Sequence, residues 1–182
     1  MKTGAHLGGH AGITHIDEGA LRWAIARWKA QSFLDIGCGP GGMVRLASKL
    51  LRLADGIDGD PSIDGFPGLI RHDFTKGICV GLKKYDLGWS VEFLEHIEER
   101  FLPNAMHAFQ RCRFVIMTAA PPGAGGHHHV NCQPSDYWIK VFRQYGFRFL
   151  ERHTAQAKER STMARDFLRS TGLVFRQRNA HF

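Results

Sequence analysis

A carboxylate followed closely by glycines is the first feature whose residue types and spacing could support chemistry. Asp35 lies near the end of the apolar stretch 32–36, and glycines follow it at four nearby positions: Gly37, Gly39, Gly41 and Gly42. Glycine is costly in backbone entropy, so such a cluster is typical of backbone that turns sharply or approaches a ligand closely. We therefore expect this loop to bind a small molecule.

The charge at this loop separates two kinds of ligand. Gly37, Gly39 and Gly42 satisfy the dinucleotide pattern G-x-G-x-x-G, and the acid Asp58 follows about 20 residues later, as that pattern requires. However, Asp35 precedes the first glycine by only two positions, where its carboxylate would repel a pyrophosphate. The acid instead favours a cationic ligand that lacks phosphate.

A second group of side chains could act on a substrate. It combines Glu92, Glu95 and His96 with the triplet His127–His129. Spacings of three and four would place the first three side chains on one face of a helix. Carboxylates and imidazoles together are typical of a divalent-metal site. A histidine of the triplet could equally act as a general base without a metal, and both hypotheses stay open.

Alternating apolar strands and amphipathic helices indicate how these groups are positioned. The predicted strands occupy 32–36, 55–61, 69–77, 85–90, 113–122, 147–152 and 173–178. Helices are predicted over 14–30, 43–54, part of 91–112, 135–146 and around 161–172, with nearly capping-box spacing at Thr14 and Asp17. This alternation predicts a parallel sheet covered on both sides. The motifs then fall at the carboxyl ends of strands, where such sheets bind ligands.

The order of these motifs resembles that of class I S-adenosylmethionine-dependent methyltransferases over roughly residues 32 to 150. The sequence LDIGCGPGG resembles their first motif, D-x-G-x-G-x-G, and GIDGDP, HDFT and YDLGWSVEFLEHI resemble the ends of the next three strands. The resemblance implies an α/β fold, a Rossmann-like three-layer sandwich. Its seven-stranded sheet would be mostly parallel, with an antiparallel last strand at LVFRQR.

The resemblance also implies cofactor contacts for the methionine and ribose parts. Asp35 would lie near the ammonium group, and Asp58, followed by Gly59, would accept the ribose hydroxyls, with Asp60 as the alternative. The backbone passing under the methionine part would be that of Gly37, Cys38 and Gly39.

For the adenine, the resemblance implies Asp73 as acceptor of the amino group and Phe74 as packing partner of the ring. A structural role for Asp73, as the cap of a turn, is an open alternative. A backbone carbonyl of Ser90 or Trp89 would also reach the cofactor.

The pattern E-x-x-E-H with a later histidine resembles two groups of metal-dependent O-methyltransferases, those of small-RNA 2′-hydroxyls and those of the ubiquinone pathway. This resemblance implies a divalent metal held by four residues: Glu92, Glu95, His96 and His128. Such a cation would lower the pKa of an acceptor hydroxyl. The implied catalytic residues are His128, Glu92 and His96, and a histidine of the triplet would be the base if no metal is used.

Composition sets the broad class. The 182 residues predict a single domain over 1–182, in which the Gly- and His-rich residues 1–13 form a mobile arm or a lid. Apolar residues make up 43% of the chain, yet no apolar run reaches the roughly 20 residues of a membrane span, so a cytoplasmic location is expected. The net charge of +7 suits an anionic partner such as nucleic acid. The four dispersed cysteines predict neither a disulfide framework nor a structural zinc site.

The absence of two known motifs narrows the range of possible methyl acceptors. The Asn/Asp-Pro-Pro-aromatic motif of base-amino methyltransferases and the Pro-Cys motif of cytosine-C5 enzymes are both absent from the sequence. A hydroxyl of a small molecule, a sugar or an RNA end remains. The chain is short, which predicts a small acceptor or a pocket completed by a partner chain, as in a homo-oligomer. The alternative function is a catalytically silent cofactor-binding subunit or nucleic-acid adaptor.

Overall fold

One seven-stranded sheet organises the computed structural model, which describes residue 4 and residues 6–178. Its strands are β1 (Ser32–Ile36), β2 (Leu53–Asp58), β3 (Leu69–Arg71), β4 (Tyr85–Ser90), β5 (Cys112–Met117), β6 (Phe147–Phe149) and β7 (Leu173–Gln177). Their order in the sheet is β3-β2-β1-β4-β5-β7-β6. Only β7 runs antiparallel to its neighbours β5 and β6. The predicted mostly parallel sheet with an antiparallel last strand is confirmed.

Helices cover both faces of this sheet and complete the three layers. They are α1 (Glu18–Trp28), α2 (Gly42–Ser48), α3 (Leu102–Phe109), α4 (Ser135–Gln144), α5 (Glu151–Arg160) and α6 (Phe167–Thr171). Helices α1, α2, α5 and α6 contribute to the core on one face, and α3 and α4 to the core on the other. No described helix is long and apolar enough to cross a membrane.

Alternation along the strands divides the apolar side chains between the two cores. In β1, Phe33 packs beneath α1 and α2, whereas Leu34 and Ile36 contact the α3 and α4 side. In β4, the buried Trp89 lies on the same face as Phe33. Each such fully buried side chain contributes about 1.5 to 3 kcal/mol to folding. The sheet is therefore a rigid base for the loops that follow its carboxyl ends.

The segment between β4 and α3 differs from the prediction. Glu92 has a positive φ of 52°, and the next residues form only short 3₁₀ turns, Leu94–His96 and Glu99–Phe101. Helix α3 begins at Leu102, with Pro103 in its first turn, where the missing N–H of proline costs nothing. The predicted single helical face bearing Glu92, Glu95 and His96 is therefore wrong.

The segment after β6 also differs from the prediction. The strand expected over 147–152 ends at Phe149, and residues 151–160 form α5. The helix expected around 161–172 is reduced to α6, which begins at Phe167. Residues 161 and 162 leave the helix because their polar groups bond to Asp17.

Asp17, and not Thr14, caps the first helix. The Asp17 Oδ1 atom accepts hydrogen bonds from the backbone N–H groups of Ala20 (3.0 Å) and Thr162 (2.9 Å). The Ser161 hydroxyl donates to its Oδ2 atom, and the Asp17 side chain is fully buried. Thr14 instead accepts from the Gly42 N–H, at the start of α2 (3.1 Å). Asp17 therefore joins α1 to the segment after α5.

Replacing Asp17 by alanine should lower the free energy of unfolding by about 2 to 3 kcal/mol, because it removes a helix cap and leaves buried donors unpaired. Urea unfolding monitored by circular dichroism measures this change. The control is Asp64→Ala, at an exposed position, which should change the free energy by less than about 0.5 kcal/mol. Equal losses in the two variants would contradict the role of Asp17.

Candidate cofactor and catalytic site

The carboxyl ends of β1, β2 and β4 open onto a cavity of about 560 Å³. This volume is in the range of small-molecule binding sites. The walls come from the glycine loop after β1, the segment 6–15, the loop 120–129 and the segment 165–171. The cavity therefore lies where the parallel sheet was predicted to bind its ligand.

The glycine loop turns over the end of β2. The N–H groups of Gly37 and Cys38 both donate to the Ile57 carbonyl (2.9 and 3.0 Å). Gly37 and Gly39 have positive φ angles of 79° and 50°. A Cβ on Gly37 would overlap the ring of Phe93, and one on Gly39 would lie 3.1 Å from the Cβ of His10. The predicted sharp turn is present, the side chains of Phe93 and His10 approach its glycines closely, and all three loop residues line the cavity.

Asp35 presents a buried carboxylate at the floor of this cavity. The residue is only 3% exposed, and no hydrogen bond or ion pair of its side chain occurs within the described ranges. Burial, and then the charge of Asp58, raise the pKa of Asp35 well above its usual value. A carboxylate in this environment must take up a proton or meet a cation. The site therefore favours a cationic ligand group next to Asp35.

Of the two candidate ribose acids, Asp58 lines the cavity together with Gly59, and Asp60 does not. The Asp58 oxygens accept from the N–H groups of Gly39 (2.8 Å) and Asp60 (2.9 Å). Asp60 is buried and accepts from the Ser62 N–H at 2.8 Å. Burial alone would raise the pKa of Asp60, but hydrogen bonds from Ser62 and His10 lower it. Asp60 is therefore a structural anion behind the cavity wall.

Asp73 and Phe74, which follow the edge strand β3, both line the cavity. The Asp73 Oδ1 atom caps the turn Phe74–Lys76 by accepting from the Thr75 N–H (2.8 Å) and hydroxyl (2.7 Å). Its Oδ2 atom lies 3.2 Å from the Nε2 atom of His6. The turn-capping alternative for Asp73 is thus present, and the same carboxylate also faces the cavity.

Ser90 does not reach the cavity. It is fully buried, its hydroxyl donates to the Ile36 carbonyl (2.8 Å), and its own carbonyl accepts from Thr118 N–H (2.9 Å). Trp89 is the residue of this pair that lines the cavity. Ser90 therefore joins β4 to its neighbouring strands, and Trp89 is the one placed for ligand contact.

Three side chains of the predicted metal group and its neighbourhood converge beside the cavity. One ligand atom from each of Glu95, His96 and His129 lies within 4.8 Å of the other two. Glu95 is fully buried, and neither of its carboxylate oxygens has a hydrogen-bond partner among the described residues. Burial and the nearby charge of Glu92 raise the pKa of Glu95 to about 9. Burial and the charge of His129 lower the pKa of His96 to about 4.

The structure brings His129, and not the predicted His128, to Glu95 and His96. His128 has a positive φ of 47°, and its ring lies 6.2 Å from that of His6, on the cavity side. The Nδ1 atom of His129 lies 3.2 Å from the Ala124 carbonyl. The same Nδ1 atom lies 3.6 Å from the Cys132 Sγ atom. In the tautomer in which Nδ1 donates to the Ala124 carbonyl, Nε2 of His129 is the acceptor or ligand atom.

Thr118, which the sequence analysis did not single out, positions Glu92. Its hydroxyl donates to the Glu92 carboxylate (2.7 Å) and accepts from the Glu92 N–H (3.0 Å). These bonds hold the left-handed backbone at Glu92, which lines the cavity next to Glu95. The only available signal was the position of Thr118 directly after β5.

Residues 6–13, which we call the strap, cross the mouth of the cavity. Nε2 of His10 lies 3.0 Å from Asp60 Oδ2, and His6 pairs with Asp73. The Leu7 carbonyl is 2.9 Å from Nε2 of His127, so the strap also contacts the loop 120–129. Residues 1–3 and 5 of the predicted arm lie outside the described part of the chain.

No protein-family model matches this sequence, and a search of curated proteins finds no significant match. Solved structures do resemble it. The methyltransferase domain of bacterial CtHen1 aligns with 88% of this chain and 96% of its own, with a TM-score of 0.60 and 20% identity. A TehB-like S-adenosylmethionine-dependent methyltransferase from Corynebacterium glutamicum covers 88% of each chain, with a TM-score of 0.62 and 17% identity. The plantazolicin methyltransferase BpumL, in complex with a pentazolic desmethylPZN analog and S-adenosylhomocysteine (SAH), covers 86% of this chain and 81% of its own (TM-score 0.55, 14% identity).

Proposed function

We propose that this chain, which has the class I S-adenosylmethionine-dependent methyltransferase fold, is itself a methyltransferase that acts on a hydroxyl group. One observation carries the cofactor assignment: the Asp35 carboxylate is buried, lacks a partner among the described residues, and lies against the glycine loop. S-adenosylmethionine supplies a methyl group on a cationic sulfonium and has an ammonium group but no phosphate. Its charge therefore matches Asp35, whereas the pyrophosphate of a nicotinamide cofactor would be repelled.

The remaining cavity residues support contacts to the other parts of the cofactor. Each Asp58 oxygen accepts one backbone N–H, so each retains a lone pair for a ribose hydroxyl. The loop Gly37–Gly39 lies between Asp35 and Asp58 and would pass under the methionine part. Asp73 and Phe74 line the far end of the cavity, in line with a role at the adenine.

The Glu95, His96 and His129 cluster has a donor set that fits a divalent cation. A cation would satisfy the two carboxylate oxygens of Glu95, which have no hydrogen-bond partner among the described residues. It would also bind Nε2 of His129 when Nδ1 donates to the Ala124 carbonyl. Glu92 lies next to Glu95 and could supply a further carboxylate. A cation held there would lower the pKa of an acceptor hydroxyl. His128, at the cavity wall, is the candidate base if the reaction needs no metal.

The side of the cavity away from the proposed cofactor contacts would hold the methyl acceptor. A hydroxyl must reach the methyl group from the side of His128, Glu92 and His96, all of which line the cavity. Alignment of the acceptor oxygen with the sulfonium would supply most of the rate enhancement. We therefore propose a small-molecule or RNA hydroxyl as the acceptor, with any larger acceptor held outside the cavity or by a partner chain.

Calorimetric titration with S-adenosylmethionine, SAH and NAD tests the proposal, followed by a screen of hydroxyl acceptors with labelled methyl donor. We expect binding of the first two ligands and not of NAD, and release of SAH with at least one acceptor. Binding of NAD alone would contradict the cofactor assignment. Binding of SAH without turnover on any acceptor would favour a silent cofactor-binding subunit.

The strap should act as a lid over the bound cofactor, because His6 pairs with Asp73 on the cavity wall and His10 pairs with Asp60 behind it. Exchanging both His6 and His10 for alanine should raise the SAH dissociation rate about tenfold, which corresponds to the loss of about 1.4 kcal/mol. Removal of residues 1–12 should abolish methyl transfer. Stopped-flow displacement measures the rate, with His107→Ala, in α3, as the control. Unchanged dissociation and full activity without the strap would contradict its role as a lid.

A further inference from the structure

A cluster of aromatic rings lies at the end of the sheet opposite the cavity, near the amino ends of the parallel strands. The rings of Trp28 and Phe114 are parallel within 2°, with centroids 4.3 Å apart. The His153 ring lies 6.0 Å from Trp28 and 6.3 Å from Trp23. Trp28 ends α1, and Phe114 lies near the amino end of β5, so this cluster is remote from the carboxyl ends of the strands. The proposed methyl-transfer chemistry makes no use of it.

Five arginines surround these rings: Arg27, Arg113, Arg148, Arg152 and Arg176. The guanidinium carbons of Arg113 and Arg176 lie 5.3 and 5.8 Å from the centre of the Phe114 ring. Arg148 is the register partner of Arg176 across β6 and β7, so their side chains share one face. Burial, and then the charges of Arg27, Arg152 and Arg148, lower the pKa of His153. We call these five arginines, with Trp23, Trp28, Phe114 and His153, the arginine–aromatic patch.

The positive charge of this patch is not balanced by the protein. None of its five arginines forms an ion pair or a side-chain hydrogen bond with any other described residue. Four of them are exposed: Arg27, Arg148, Arg152 and Arg176. The Nε1 atom of Trp28 is buried without a partner in the same part of the chain. Like charges held this close repel one another, so the patch favours an anionic partner.

We propose that the arginine–aromatic patch binds single-stranded nucleic acid. Guanidinium groups match phosphate oxygens in a bidentate geometry. Trp28 and Phe114 are buried beneath the patch, whereas the half-buried rings of Trp23 and His153 offer surface on which bases can stack. An anionic membrane would attract the same charges, but the exposed large apolar side chains of the described chain all lie elsewhere: Ile13, Ile16, Ile78, Val80 and Val130. Alternation of cations and rings on one face is typical of strand-tracking surfaces.

Fluorescence anisotropy of labelled RNA and DNA single strands of about 12 nucleotides tests this proposal on the full chain without added cofactor. The patch variant is Arg148→Gln with Arg176→Gln, and neither exposed side chain forms a hydrogen bond or an ion pair with another described residue. The matched control is Lys140→Gln with Arg143→Gln, two exposed cations of α4 on the other face of the sheet. Both variants change the net charge equally.

The patch variant should bind about tenfold or more weakly, and its affinity should depend less steeply on salt, with the logarithmic slope smaller by roughly 1.4. The affinity of the control variant for the oligonucleotides should fall by less than about threefold. Tryptophan emission should be quenched when the wild-type protein binds, because the half-buried Trp23 lies within the patch. Equal losses in the two variants, or no binding of wild type at about 0.15 M salt, would overturn the proposal. So would binding to phosphatidylserine vesicles without binding to either oligonucleotide.

Discussion

Replacing Asp35 by asparagine should weaken SAH binding about 100-fold or more, equivalent to at least about 2.7 kcal/mol, while leaving the free protein at least as stable as wild type. Binding suffers because the variant cannot neutralise the cofactor's ammonium group in a buried site. Stability does not suffer because burial of the Asp35 carboxylate opposes its ionisation. Calorimetry measures the first effect and thermal unfolding the second.

The pH dependence of stability gives this prediction a second readout. Because the pKa of Asp35 is raised in the folded protein, the contribution of Asp35 to the free energy of unfolding of the free wild type should fall as the pH rises above about 4, the usual value for an aspartate. Asp35→Asn should lack that part of the decline, so its stability relative to wild type should increase with pH. Exposed Asp64→Asn is the control and should change neither binding nor the pH profile. An Asp35→Asn protein that binds SAH normally would contradict the assignment.

Loss of the proposed cation should lower methyl transfer about 100-fold or more, since the acceptor hydroxyl would no longer be activated. Excess chelator should produce this loss, and magnesium, manganese or zinc should reverse it. His129→Ala should have the same effect on turnover and should abolish binding of Mn²⁺ measured by calorimetry. SAH binding should be preserved, because Asp35 and Asp58 are untouched.

Two comparisons separate the cation hypothesis from its alternatives. His107→Ala, in α3 away from the cavity, should leave Mn²⁺ binding and turnover at the wild-type level. His128→Ala should keep Mn²⁺ binding, since that ring faces His6 rather than Glu95. Turnover that is unchanged by chelator would contradict the cation hypothesis. A loss of Mn²⁺ binding in His128→Ala but not in His129→Ala would show that the ligand predicted from the sequence was the right one.

Much of the fold could be predicted because the residues within each strand already show the apolar pattern of a buried strand. Strand β5 is an apolar run, as expected for a strand covered on both faces, and β1 is an apolar run that ends in glycines. The order of the motifs and the resemblance to methyltransferases predict Asp35, Asp58 and Asp73 at the carboxyl ends of neighbouring strands. In the structure all three line the cavity there.

The catalytic side of the cavity could be predicted less well, because there the backbone takes conformations that residue type does not specify. Glu92 and His128 are both in the left-handed region, which few non-glycine residues adopt. The backbone conformation at His128 turns the His128 ring toward His6 of the strap and the His129 ring toward Glu95. In a run of three histidines, nothing local indicates which one faces the acid.

Contacts between distant segments account for the other differences. Asp17 outcompetes Thr14 as helix cap because Ser161 and Thr162 meet it from a part of the chain about 145 residues away. Those same bonds end α5 and keep residues 161 and 162 out of the helix predicted around 161–172, of which only α6 forms. Ser90 ends β4, where a ligand contact is expected, but the strands and loops around it bury it completely and it does not line the cavity.

An experimental structure with SAH bound tests the central claim most directly. The SAH ammonium group should lie within hydrogen-bonding distance of the Asp35 carboxylate, and both ribose hydroxyls should donate to Asp58. A pyrophosphate group accommodated at the glycine loop after soaking with NAD, or an SAH molecule bound away from Asp35, would contradict the account.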